Sequence, residues 1–115
     1  MELWHNPRCT KSRQAKARLD DAGVEYVERR YLDDPPTVAE LASVVAALGI
    51  EPRLLIRTAD ARALELDLDA AGDDPQALLE LMAANPRIIQ RPVLIADDGR
   101  AVLGRPPESV DSLIG

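Results

Sequence analysis

The sequence predicts an α/β fold in which a mixed sheet is covered by helices. Three observations carry this. A strand-like start, a helix-patterned stretch and a second strand-like segment run in βαβ order, which pairs the two strands in parallel across a crossover helix. Two apolar runs near the C-terminus close on Asp97-Asp98-Gly99 as an antiparallel hairpin. The stretch between these halves is helical in pattern, so four strands and several helices make one mixed layer and its cover.

Leu3 and Trp4 begin the first strand, placed at residues 1–5, and Asn6-Pro7 ends it because proline does not let a helix continue through that junction. Ala15, Leu19 and Ala22 then recur at helical spacing amid charged residues, with Gly23 where a helix closes. Residues 24–32 are rich in Val and Tyr and read as the second strand. Asp33-Asp34-Pro35-Pro36 turns the chain. Thr37 with Glu40 forms a capping box ahead of Val38, Leu41, Val44, Val45 and Leu48, and Gly49 ends that helix. Residues 51–85 continue in helical pattern, with Pro52 near one start and Asp74-Pro75 as N-cap and first position for Leu78, Leu79 and Met82. Residues 93–96 and 101–103 are the hairpin strands, and a short helix is expected after Pro107.

A length of 115 residues falls within the roughly 50 to 250 of one domain, and one domain is expected. With 46% apolar and 30% charged residues the chain can both bury a core and stay in solution. No run approaches the roughly 20 apolar residues of a membrane span, and MELWHNPR lacks the layout of a signal peptide, so a cytoplasmic protein is expected. A net charge of -6 repels phosphate backbones, which argues against nucleic-acid binding and requires any anion to be held locally. One cysteine closes no intrachain disulfide, and one cysteine with one histidine falls short of a structural zinc site. The acidic residues Asp60, Glu65, Asp67, Asp69, Asp73 and Asp74 lack calcium-loop spacing and read as a solvated face.

The stretch His5-Asn6-Pro7-Arg8-Cys9-Thr10-Lys11-Ser12-Arg13 sets a thiol between a strand end and a helix start, amid three cations. Helix N–H groups and nearby cations favour thiolate over thiol and would hold an oxyanion beside the sulfur. The alternative is a buried cysteine behaving as a small hydrophobe. Ser12 stands where a Cys-x-x-Cys pair would have its second sulfur, so an oxidised Cys9 needs an external thiol to resolve it. His5 either tunes the thiolate through a folded-back loop or simply packs at the strand end. Thr10 is read as a helix cap, and Ser12 as a cap or a hydroxyl donor to a ligand. Arg91 directly precedes one hairpin strand and Arg105 directly follows the other, so the hairpin sets both guanidiniums at one end. There they suit an oxyanion or carboxylate, unless both are solvated surface residues. Arg57, within LLIRTAD, is a third basic position among apolar neighbours.

HNPRCTKSR, YLDDPPT, LLIRTAD, IIQRPVLI and LGRPPE follow one another as they do in glutaredoxin-coupled arsenate reductases, and the chain resembles that family over nearly its whole length. The resemblance implies a thioredoxin-like fold, a single domain over residues 1–115 with a helical insertion at about 51–85 before the final hairpin, and a cis bond before Pro92. Carried over by position, Cys9 resembles the nucleophile, His5 the residue that assists it, and Arg57, Arg91 and Arg105 the oxyanion-binding trio, with Asn6, Thr10, Ser12 and Pro92 in support. The implied reaction is attack of Cys9 on arsenate, joining of glutathione to the adduct, and reduction by glutaredoxin with release of arsenite. One protein thiol cannot supply both electrons, which fits external thiols. Glutathione is then a co-substrate, no cofactor is bound, and the expected partners are an oxyanion, glutathione and glutaredoxin, with neither nucleic acid nor membrane, for a monomer. Two alternatives share the site or the fold. One is a glutathione-dependent thiol oxidoreductase of another substrate; the other is an Spx-type regulator of RNA polymerase, whose usual Cys-x-x-Cys switch Ser12 breaks.

Overall fold

Leu3 and Trp4 belong to β1 (Glu2–Trp4), which pairs in parallel with β2 (Val27–Arg29) and antiparallel with β3 (Val93–Ile95). In turn β3 pairs antiparallel with β4 (Ala101–Leu103), giving the order β2-β1-β3-β4 in this computed structural model, which describes residues 1–114. The mixed four-stranded sheet expected from a βαβ half and a hairpin is present. Its inner strands are the buried ones: Leu3, Val93 and Leu94 are fully buried, whereas β4 is only partly so.

The chain packs as two compact units, one formed by residues 1–34 with the chain from Arg91 onward, the other by residues 35–90. In the first, register places Glu28, Leu3, Leu94 and Val102 in one cross-strand row. Leu3 and Leu94 meet Ala15 and Leu19 of α1 (Thr10–Asp21), which lie four residues apart and so share a helix face. Val110 and Leu113 complete this core from a 3₁₀ turn, Pro107–Val110, and α6 (Asp111–Ile114), the short helix expected after Pro107. Burying each such leucine is worth on the order of 1.5–3 kcal/mol. Helix α1 closes with Gly23 in the left-handed region: the Gly23 N–H donates to Asp20 O and the Val24 N–H to Leu19 O, satisfying carbonyls that the helix end would orphan.

Strand β2 is shorter than the 24–32 expected. It pairs on one side only, with a three-residue neighbour, and the N–H groups of Asp33 and Asp34 already turn back to Arg30 O. At the other end of the chain, Gly104 donates its N–H to Pro92 O at 2.9 Å, and a Cβ at this position would stand 2.6 Å from Pro92 Cγ. The bond before Pro92 is cis, as the resemblance implied, and so is the one before Pro106, which nothing in the sequence singled out. Gly104→Ala is expected to destabilise the protein by about 1–3 kcal/mol, the usual range for forced overpacking. A lowered urea midpoint with an unchanged slope reads this; an unmoved midpoint means the contact is relieved without cost.

The second unit opens with α2 (Val38–Leu48). Its capping box forms as expected: Thr37 Oγ1 accepts the Glu40 N–H at 3.1 Å, and Glu40 Oε1 accepts the Thr37 N–H at 3.0 Å. The stretch from 51 to 85 is helical but divided into a 3₁₀ turn, Pro52–Leu55, then α3 (Thr58–Ala63), α4 (Leu68–Ala71) and α5 (Pro75–Ala84). Asp74 caps α5 by accepting the Gln76 N–H at 3.1 Å, with Pro75 in the first position. Helix α2 packs on α5, so it shares a unit with the helices that follow it. An isolated antiparallel bridge joins Ile56 to Ile89, both buried. Among the described residues no helix is long and apolar enough to cross a membrane.

Candidate active site

Cys9 is the N-cap of α1, in extended conformation at φ -94° and ψ 124°. Three hydrogen bonds shape the loop before it. The Cys9 N–H donates to Asn6 O at 3.0 Å, the Arg8 N–H to Asn6 Oδ1 at 3.0 Å, and the Asn6 N–H to Ser12 Oγ at 3.0 Å. Asn6 therefore organises the loop through its backbone and side chain together. Thr10 does not cap the helix as expected, because it stands one residue past the N-cap; its Oγ1 accepts from Arg13 Nη2 at 3.2 Å.

The neutral Cys9 side chain caps no helix N–H. An ionised sulfur is a different acceptor. Partial burial pushes the thiol pKa up, but the N–H groups of Ser12 and Lys11 and the Arg91 guanidinium together hold it below the ordinary thiol range. Position explains this: Lys11 and Ser12 are the second and third residues of α1, whose N–H groups point past the helix start.

The hairpin brings two of the three arginines together. Continuing the Val93–Leu103 register places Arg91 opposite Arg105, and Arg105 Nη1 donates to Arg91 O at 3.1 Å. Arg91 is buried at 9% exposure and hydrogen-bonds the Cys9 sulfur, whereas Arg105 is exposed. The alternative of two solvated surface arginines fails for Arg91. Arg57 belongs to the second unit, where it is the N-cap residue of α3 and its Nε pairs with Asp60 Oδ2 at 3.1 Å.

His5 is 3% exposed, with Nδ1 2.8 Å from Ser12 Oγ. The same oxygen accepts the Asn6 N–H at 3.0 Å, so one hydroxyl ties the ring to the loop backbone. Burial pushes the histidine pKa down; Glu28 opposes this while Lys16, Arg30 and Arg13 add to it, so the ring is neutral at pH 7. Among the described residues the ring bonds Ser12, and Ser12 in turn presents its N–H to the sulfur. His5 thus reaches Cys9 through Ser12.

The ArsC family model matches residues 4–113, a span that contains every position just described. The chain belongs to the ArsC family. It is 36% identical over 115 residues to an arsenate reductase of Neisseria meningitidis serogroup A, covering 99% of this chain and 97% of that protein. It is 43% identical over 113 residues to an uncharacterized protein in the glnII region of Streptomyces viridochromogenes, covering 96% and 95%. A solved arsenate reductase from Vibrio cholerae superposes with a TM-score of 0.87 at 36% identity, covering 98% of each chain. The ArsC fold here is thioredoxin-like, with the mixed sheet order given above.

In this ArsC chain three contributors went unnoticed in the sequence. Gly104 gives Pro92, and with it the Arg91 backbone, room to approach. Glu28 and Arg30, paired at 3.0 Å, act electrostatically on His5. Their only sequence signal is spacing by two across the end of β2, with Glu28 on the strand and Arg30 just past it, while Arg29 between them lies over the Trp4 ring at 5.8 Å.

Proposed function

We propose that this chain reduces arsenate to arsenite through a Cys9 adduct, with glutathione and glutaredoxin as external reductants. The single observation that carries the reading is a thiolate-favouring sulfur at the N-cap of α1 with a buried guanidinium against it. The Cys9 thiolate displaces water from arsenate, with Arg91 and Arg105 offering donors to the oxygens. Glutathione thiolate displaces a second water, giving a Cys9–S–As–S–glutathione species. A glutaredoxin thiolate then attacks the glutathione sulfur. The electron pair of that arsenic–sulfur bond passes to arsenic, reducing As(V) to As(III), and glutaredoxin leaves as its glutathione mixed disulfide. Water frees arsenite and regenerates Cys9. The names of ArsC relatives support this substrate, and Ser12 in place of a second cysteine supports the need for outside thiols. The same reading takes the protein as a cytoplasmic monomer with no bound cofactor.

A coupled assay tests it. With glutathione, glutaredoxin, glutathione reductase and NADPH, purified protein should consume NADPH only when arsenate is present. No arsenate-dependent consumption sinks the substrate; deglutathionylation without arsenate turnover points instead to a thiol oxidoreductase acting elsewhere.

A further inference from the structure

Polar side chains join the middle of α1 to β2 behind the Cys9 loop. Lys16 Nζ donates to the Tyr26 hydroxyl at 2.8 Å and pairs with Glu28 Oε1 at 3.0 Å. The Tyr26 hydroxyl donates in turn to Asp20 Oδ1 at 2.6 Å, and the Lys16 ammonium lies 5.1 Å from the centre of the Tyr26 ring. The other Glu28 oxygen accepts Arg30 Nε at 3.0 Å. One carboxylate therefore holds two cations, one from the helix and one from just past the strand end.

Both cations neighbour His5. Lys16 lies one turn beyond Ser12 and shares its helix face. Continuing the β1–β2 register by one residue sets Arg30 opposite His5, and the His5 N–H still donates to Arg29 O at 2.8 Å there. The charged groups that act on the ring are Lys16 and Arg13 from α1, with Glu28 and Arg30 from β2 and its end. A neutral imidazole keeps one acceptor nitrogen. An unheld ammonium or guanidinium would bind that nitrogen or Ser12 Oγ, and either contact draws the ring and the hydroxyl apart.

We propose that Glu28 is a positioning residue for Cys9: by holding Lys16 and Arg30 it keeps both cations off the His5 ring and leaves that ring to Ser12. The inference deepens the reading above, and rests on it for the reaction the sulfur performs. Ser12 passes the effect on in two ways. Its N–H meets the sulfur, and its Oγ accepts the Asn6 N–H of the loop whose Asn6 O accepts the Cys9 N–H at 3.0 Å. Glu28 touches neither sulfur nor oxyanion.

The test uses no arsenate, so its failure and the failure of the substrate reading are told apart. The chain has one cysteine and one histidine, which makes each an unambiguous probe. Iodoacetamide alkylation of Cys9 is followed against pH for native protein, Glu28→Ala, Glu28→Gln and the double variant Glu28→Ala/Lys16→Met. Loss of a negative charge would by itself favour the thiolate and lower the alkylation midpoint. Loss of positioning does the opposite: Glu28→Ala should slow alkylation at pH 7 about three- to tenfold, through a midpoint raised by up to about one unit. Glu28→Gln has no charge but still offers Lys16 an oxygen, and should stay within about twofold of native; the double variant, with no ammonium to release, should recover part of the loss. The His5 ring nitrogen signals of Glu28→Ala should move toward those of Ser12→Ala, while those of Glu28→Gln stay native. Glu28 is only partly buried, so its truncation opens no cavity in the core. Should the alanine variant not fold, Glu28→Asp replaces it, with the charge kept and the reach shortened, and should also slow the sulfur. A midpoint that falls or stays in the alanine variant, a glutamine variant as slow as alanine, or a double variant with no recovery overturns the inference.

Discussion

Cys9→Ser is expected to abolish arsenate turnover while making the fold more stable. The hydroxyl is not ionised at neutral pH, so kcat/KM should fall by at least about 10⁴-fold, to the floor of the coupled assay. Position 9 is also the N-cap of α1, in the extended conformation a cap requires, and the neutral thiol makes no capping bond. Serine is among the best N-cap residues. It should accept a helix N–H and add about 0.5–1 kcal/mol, toward the low end of measured capping effects. The gain should depend on pH. A thiol whose folded pKa is depressed contributes stability that is present above its unfolded value of roughly 8.5 and lost as pH falls through the folded value. Native protein therefore catches up with the variant as pH rises through that window. Urea titrations from pH 6 to 9 measure it; a variant less stable than native at pH 6, or a constant difference, contradicts the capping argument. A sulfur at this position trades helix stability for a nucleophile.

Arg91→Ala should carry the second largest effect. Arg91 is buried against the sulfur and is proposed to face the oxyanion, so two quantities move together. The alkylation midpoint of Cys9 with iodoacetamide should rise toward the ordinary thiol range. The kcat/KM for arsenate should fall by about 10²–10³-fold, the typical cost of one preorganised donor. Arg91→Lys should recover part of the thiol shift but little of the arsenate rate, since a point charge replaces a fork with two parallel donors. An unmoved alkylation midpoint separates Arg91 from the sulfur; a large drop in kcat/KM without that shift would leave it as an oxyanion ligand alone.

Much of the molecule is legible along the chain because the information is local. The capping box at Thr37 and Glu40, the cap at Asp74-Pro75 and the hairpin at Asp98-Gly99 involve residues within a few positions of one another, and all are present. The setting of Cys9 is local too: a strand end, three cations and a helix start within nine residues. The pairing of Arg91 with Arg105 follows from the hairpin register alone. Thr10 shows the limit of local reading, since a shift of one residue in the helix start gave the cap to Cys9.

What this sequence determined by itself is the order of its elements and the chemistry at their ends, because caps, turns and periodic faces are contacts between near neighbours. Only the tertiary structure decided that Arg91 lies buried against Cys9, that Ser12 joins His5 to the sulfur, and that Gly104 must lack a side chain beside Pro92. Arg91 and Cys9 are far apart along the chain, and strand pairing, not spacing, sets their distance. The strand β2 ended early for the same reason: its length is limited by the neighbour it pairs with.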